Sequence, residues 1–191
     1  MKSSFFRSKT GIFMVAFLVF IVAMIVVSSL YGSNAPSIGK EKVRLSTTMG
    51  DIVIELYDDM PITTGNFKSL VEGTIYDGVI FHRVIDGFMI QTGDPTGTGA
   101  GDPSIPPIQD EFTDHNRNDR GTVAMANKGP DTGSSQFFIN LVDNNHLDSK
   151  HPVFGMVIEG IDVVDQIGKV PTDENDRPLE DVRIIKAELV D

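Results

Sequence analysis

The sequence predicts an all-β domain, closed or sandwiched, preceded by an apolar N-terminal segment. Three observations predict it. From Val43 onward, short stretches that are apolar at every second position, or continuously apolar, alternate with clusters of turn residues. Only two stretches in the same region carry apolar residues at helical spacing. Ahead of them, Ile12 through Val27 is an unbroken run of 16 apolar residues, and no charged side chain lies between Lys9 and Lys40.

The apolar run comes first. Extended through Tyr31 it reaches 20 residues, about 30 Å of helix at 1.5 Å per residue, which matches the hydrocarbon thickness of a bilayer. Lys2, Arg7 and Lys9 flank it on the N-terminal side alone. That asymmetry keeps residues 1–11 cytoplasmic and sends the remainder across. The span at 12–31 is therefore read as a single-pass anchor, with the following domain outside the cytoplasm. Cleavage and secretion is the alternative: Ser33-Asn34-Ala35 offers a small-x-small site, although Pro36 follows it directly and the apolar core is long for a signal peptide. Residues 32–40 form a short polar linker, and residues 41–191 form the domain.

Within the domain, Val43 and Leu45 alternate with polar neighbours, and Ile52, Ile54 and Leu56 resume the period of two. This predicts a hairpin that turns near Gly50. Pro61 opens a helix, with Thr63 or Thr64 as cap; Phe67, Leu70 and Val71 form its apolar face and Gly73 ends it. Val79–Val84 and Phe88–Thr92 read as strands joined at Asp86-Gly87. Residues 93–110, rich in Gly and Pro, form a long loop that is either functional or packed. Thr122–Ala126, Gln136–Leu141 and Val153–Ile158 are further strands. A two-turn helix follows Gly160, and Val182–Val190 is the last strand.

Composition narrows the function. The 191 residues hold 16 Lys+Arg against 27 Asp+Glu, with a net charge of −11. Once the three N-terminal bases are set aside, the rest carries 13 bases against 27 acids, a net of −14. A domain so acidic does not bind nucleic acid through its phosphates. The absence of Cys excludes disulfides, thiolate metal sites and thiol nucleophiles. The length beyond residue 40 suits one domain, expected to be monomeric.

Three long blocks then stand in series. Phe81–Asp94 reads FHRVIDGFMIQTGD, Met125–Ile139 reads MANKGPDTGSSQFFI, and His146–Gly160 reads HLDSKHPVFGMVIEG. In order and spacing they resemble the cyclophilin family of peptidyl-prolyl cis-trans isomerases, and the likeness runs from about Lys42 to Leu189. It implies a closed eight-stranded antiparallel β-barrel with a helix covering each end. It also implies catalysis of cis-trans isomerisation of peptide bonds preceding proline in unfolded or proline-containing polypeptides, with no cofactor and no metal. Arg83 matches the catalytic arginine. Phe88, Met89, Phe138 and Leu147 match the apolar proline pocket. Gln91, Ala126, Asn127, Gln136 and His151 match positions lining the substrate groove. His146 stands in that groove where many members have tryptophan. The loop after Gly93 is short, as in prokaryotic members.

The chemistry suits these residue types. Rotation about a peptide bond faces roughly 18–20 kcal/mol because of C–N double-bond character. X-Pro bonds populate both isomers yet exchange over tens to hundreds of seconds. A catalyst must bind the twisted amide better than either planar form. An arginine suits this, being permanently charged and with a rigid fork of donors, and the resemblance implies that it donates toward the prolyl nitrogen. One charge-assisted hydrogen bond is worth about 1.5–3 kcal/mol, so Arg83 needs the help of the pocket and its low dielectric.

Several features have plainer readings. His146, Asp148 and His151 lack a closed set of metal ligands. His82 reads as a structural residue on the face opposite Arg83, and Phe137 as core if Phe138 faces the groove. Gly129–Ser134 lacks the ending of a phosphate loop. Asp173, Glu174 and Asp176 read as a solvated turn. The rival functions are a non-catalytic module that binds proline-containing peptides and a chaperone that acts through exposed apolar surface.

Overall fold

The alternation in residues 42–56 becomes the first hairpin. In the computed structural model, which describes residues 40–191, β1 (Lys42–Thr47) and β2 (Gly50–Leu56) pair antiparallel from Lys42 opposite Glu55 to Thr47 opposite Gly50. Val43, Leu45, Ile52 and Ile54 are fully buried on one face. Six further strands follow: β3 (Arg83–Ile85), β4 (Met89–Thr92), β5 (Thr122–Met125), β6 (Phe137–Asn140), β7 (Val153–Glu159) and β8 (Ile184–Val190). They form one antiparallel eight-stranded sheet in the order β3-β4-β6-β5-β7-β2-β1-β8. Two helices, α1 (Pro61–Glu72) and α2 (Ile161–Ile167), and a 3-10 turn at Asn145–Leu147 complete it.

The expected closed barrel is corrected to an open, curled sheet. Strands β3 and β8 are its two edges and share no ladder. The stretch expected as strand at Val79–Val84 is irregular up to His82, so β3 has only three residues. A single bridge, Ile80 to Arg183, spans the seam. Around it Phe81 N–H donates to the Val182 carbonyl at 2.9 Å, Gly78 N–H to the Ile184 carbonyl at 2.7 Å, and Ile184 N–H to the Val79 carbonyl at 2.8 Å. The seam is thus hydrogen-bonded between the irregular backbone ahead of β3 and the beginning of β8, which satisfies buried polar groups without a regular ladder.

The expected span at 12–31 lies outside the described residues. Among the described residues no helix is long and apolar enough to cross a membrane.

Helix α1 begins at Pro61, where a missing N–H costs nothing, but neither Thr63 nor Thr64 caps it. Met60 is the N-cap residue and makes no side-chain cap bond. The distant Glu111 takes that role: its carboxylate accepts from Ile62 N–H at 3.1 Å, Thr63 N–H at 2.6 Å and the Thr63 hydroxyl at 2.8 Å. A negative charge there also suits the positive end of the helix dipole.

The core lies on the concave side. Phe67 of α1 meets Tyr76, Phe137 and Phe154 with ring centroids 5.0–5.2 Å apart, and Phe137 meets Tyr76 edge-on at 5.5 Å. The buried Tyr76 hydroxyl donates to the Ser135 carbonyl at 3.0 Å, and burial pushes its phenol pKa up.

Strand register sorts the remaining side chains by face. Val84, Ile90, Ile139 and Val123 sit opposite one another across β3, β4, β6 and β5 and belong to the core. Because neighbours along a strand alternate, the adjacent row belongs to the other face. That row is Arg83, Gln91, Phe138, Ala124 and Val153, running from β3 to β7.

Candidate active site

The outer row forms the floor of the candidate site. Met89, Ala124, Phe138 and Val153 make a buried apolar cluster separate from the main core, with the half-buried Phe88, Ala126 and Leu147 packed against it. All four residues expected to form the proline pocket, Phe88, Met89, Phe138 and Leu147, are therefore together. Phe137 instead enters the core, as alternation requires. His151 stands edge-on to Phe138 at 5.3 Å, and its Nδ1 lies 2.9 Å from the Met125 carbonyl. A carbonyl can only accept, so Nδ1 carries the proton and the ring orientation is fixed. His146 stacks on Phe88 with centroids 6.1 Å apart and planes 20° from parallel.

Arg83 occupies the polar end of the row. Its side chain is 44% exposed on edge strand β3, directly opposite Gln91 on β4. Gln91 Nε2 donates to Gln136 Oε1 at 2.9 Å, and Gln136 Nε2 donates to the Gly99 carbonyl at 3.2 Å. A cavity of about 140 Å³ opens beside these glutamines, lined also by Ala126, Asn127 and Thr132. Asn127 lies at its margin with its side chain engaged: Nδ2 donates to the Lys150 carbonyl at 2.7 Å. The expected site residues thus gather around one apolar cluster and the polar cavity beside it, with Arg83 in the same row of the sheet.

Three supporting groups were not found by sequence reasoning. Asp94 is fully buried and organises the loop that follows it. Its carboxylate accepts from Thr96 N–H, Gly99 N–H and Gly101 N–H at 2.9, 2.7 and 3.0 Å, and from the Thr96 hydroxyl at 2.8 Å. Burial alone would raise its pKa, but these hydrogen bonds outweigh it and hold the carboxyl below its ordinary value. The loop expected to be functional or packed is wound around this one charge, and it delivers the Gly99 carbonyl to Gln136.

A set of asparagines supports the other wall. Asn144 Nδ2 donates to the Phe88 carbonyl and to Asn140 Oδ1, each at 2.9 Å. Asn116 Nδ2 donates to the Asp148 carbonyl at 2.6 Å, and Asp148 Oδ1 accepts from Asn118 N–H at 2.7 Å. These bonds tie the segment bearing His146, Leu147 and His151 to the sheet. The only signal in the sequence was the density of asparagine between residues 116 and 145.

The third group is the acidic run read as a solvated turn. Asp173 closes that turn, accepting from Asn175 N–H at 2.8 Å and Arg177 N–H at 3.0 Å. Asp176 does more than face solvent: its Oδ2 lies 3.4 Å from Arg83 Nε. His82 is buried, with both ring nitrogens lacking a partner, and burial pushes its pKa down.

The family model for the cyclophilin type peptidyl-prolyl cis-trans isomerases (CLD) matches residues 42–189. The chain belongs to the cyclophilin family. Peptidyl-prolyl cis-trans isomerase ppi1 of Schizosaccharomyces pombe is 50% identical over 151 residues, covering 76% of this chain and 96% of that protein. Peptidyl-prolyl cis-trans isomerase CYP71 of Arabidopsis thaliana is 50% identical over 158 residues, which cover 81% of this chain but only 25% of that longer protein. A crystal structure of a Cryptosporidium parvum cyclophilin type isomerase, in the presence of the dipeptide Ala-Pro, is 33% identical with a TM-score of 0.75. It covers 78% of this chain and 99% of that one. These relatives are all eukaryotic, so the prokaryotic likeness expected from the short loop is not what the comparisons return. The activity of this cyclophilin is cis-trans isomerisation of peptide bonds preceding proline.

Proposed function

We propose that this cyclophilin performs the isomerisation on the outer face of β3, β4 and β6, with Arg83 as the catalytic residue. The observation that carries this reading is the register that sets Arg83, Gln91 and Phe138 side by side on three neighbouring strands. Phe88, Met89, Phe138 and Leu147 grip the proline ring by apolar contact. The guanidinium beside them donates to the prolyl nitrogen as conjugation is lost and that atom gains a lone pair. The planar amide offers no comparable acceptor at nitrogen, so the contact strengthens toward the transition state and lowers the barrier. Gln91, held by Gln136, keeps the arginine and the peptide in place. The side chain of Asn127 is occupied by Lys150, so its backbone groups are what it offers to the peptide beside the proline. Ala126 and His151 shape the groove, and His146 covers Phe88. No proton is transferred and no covalent intermediate forms.

Direct cis/trans exchange on an X-Pro peptide tests the reading. Arg83→Ala is expected to lower turnover by about 10- to 100-fold, the worth of one charge-assisted hydrogen bond, with the fold intact. Full activity in that variant would remove Arg83 from the mechanism. Binding without accelerated exchange in the wild-type protein would favour the peptide-binding module.

We further propose that residues 12–31 anchor the protein in a bilayer with the isomerase domain outside the cytoplasm, acting as a monomer on chains that fold there. The 20-residue apolar length and the one-sided Lys2, Arg7 and Lys9 support it. Sequencing the N-terminus of protein recovered from cells tests it. Met1 supports the anchor, and a start near Pro36 replaces it with secretion.

A further inference from the structure

We infer that Asp176 is a positioning residue for Arg83, presented by a turn built for the purpose; the inference rests on the role proposed above for Arg83. Strand β3 is an edge of the sheet, and an arginine on an edge strand has neighbours on one side only. The turn at residues 171–179 supplies the other side. Val84 N–H donates to the Asp176 carbonyl at 2.8 Å, so the turn docks on the free edge of β3 one residue from Arg83. A bridge between Thr172 and Pro178 closes the turn. Leu179 N–H donates to the Pro171 carbonyl at 2.9 Å, and Asp173 N–H to the Arg177 carbonyl at 2.8 Å. Arg177 Nη1 ties it to the Gly99 loop through the Gly97 carbonyl at 3.1 Å.

Within this frame Asp176 adopts a left-handed conformation, φ 63°. Non-glycine residues rarely do so, Asn and Asp more readily than others. Both its carbonyl and its carboxylate turn to β3. Oδ2 reaches Arg83 Nε, and among the described residues this is the only hydrogen bond that the Arg83 side chain makes. Occupying Nε restrains the plane of the guanidinium while leaving both terminal nitrogens for the peptide. A long side chain gives up rotamer freedom when it is held. Holding it before substrate arrives removes that cost from the catalytic step, so the effect belongs in kcat.

The test compares Asp176→Gly and Asp176→Asn in the direct exchange assay, since both accept the left-handed backbone. The glycine variant loses the acceptor, whereas asparagine retains an oxygen for Nε. Asp176→Gly is expected to lower kcat about 3- to 5-fold with KM unchanged, equivalent to ~0.6–1 kcal/mol. Asp176→Asn is expected to stay within about 1.5-fold of wild type. On an Arg83→Lys background, where Nε is absent, Asp176→Gly should have no further effect. Unchanged kcat in the glycine variant would overturn the inference. So would an equal loss in both variants, a loss confined to KM, or a loss that persists undiminished beside Arg83→Lys. Arg83→Ala run in parallel separates the two levels: if it retains full activity the role of Arg83 fails, and if it is impaired while Asp176→Gly is not, only the role of Asp176 fails.

Discussion

Gln91 on β4 and Gln136, the residue before β6, share one hydrogen bond at 2.9 Å, and Gln136 passes a second to the Gly99 carbonyl. The two amides connect the catalytic edge of the sheet to a loop that is itself wound around a buried carboxylate. Arg83 is thus flanked on the sheet side by a relay of fixed groups.

Breaking the relay at either glutamine should have the same consequence. Gln91→Ala and Gln136→Ala are each expected to reduce kcat/KM by about 5-fold, the worth of one neutral hydrogen bond near 1 kcal/mol. The double variant should be no worse than the poorer single, because the second change removes a bond already lost. Exchange rates on one X-Pro peptide, taken for all four proteins, measure the coupling.

Adjacent phenylalanines should separate stability from binding. Phe137 is fully buried among Phe67, Tyr76 and Phe154, and Phe137→Ala should cost about 3–5 kcal/mol of unfolding free energy. Phe138→Ala opens a pocket that already faces the groove. It should cost less stability but raise KM at least 10-fold, about 1.4 kcal/mol of lost contact. Denaturant titration alongside kinetics decides between the two outcomes for each variant.

Acid should act through Asp94. Its folded pKa lies below the ordinary 3.8, so the stability it contributes is present above that value and is lost as pH falls through the folded pKa. Asp94→Asn should be less stable than wild type at pH 7 and lose less on going from pH 4 to pH 2. Unfolding free energies of both proteins across that range test it.

His82 should add a slope at milder pH. Burial lowers its pKa from 6.5, so the unfolded chain binds a proton there that the folded chain does not. Stability therefore rises with pH through this window and falls as pH drops below about 6.5. Replacing His82 with Gln should flatten the slope between pH 7 and pH 5, as read by urea unfolding at several pH values. Equal slopes in the two proteins would mean that His82 takes up its proton alike in the folded and the unfolded chain.

Apolar patterning between turn residues found both helices and every strand except most of β3: β1 alternates, whereas β5 and β6, buried at every residue, show as short apolar runs. It did not find that the sheet stays open. Val79–His82 are apolar enough for a strand, but they pair as loop backbone, and β3 shortens to three residues. The pocket was legible because its residues lie in contiguous blocks whose order resembles a family. The supports were not, because Glu111, Asn116 and Asp176 act on partners reached only through the fold, and Asp94, whose partners are local, is a support because the fold buries it. Glu111 caps a helix 48 residues back in the chain, and Asp176 meets Arg83 from 93 residues away. An acidic turn looks the same in sequence whether it faces water or a catalytic cation.

The pairing of β1 with β8 has a consequence for how such a domain can be carried. Lys42 lies opposite Val190, and the Lys42 ammonium donates to the Asp191 carbonyl at 2.9 Å. The polypeptide therefore enters and leaves the fold on adjacent strands, and neither strand contributes to the groove floor. A unit wired this way works as a cassette. It can be spliced into a longer protein, as the match to one quarter of the Arabidopsis relative illustrates, or recircularised by joining residues 191 and 42 through a short linker. In either setting the row from Arg83 to Val153 keeps its register.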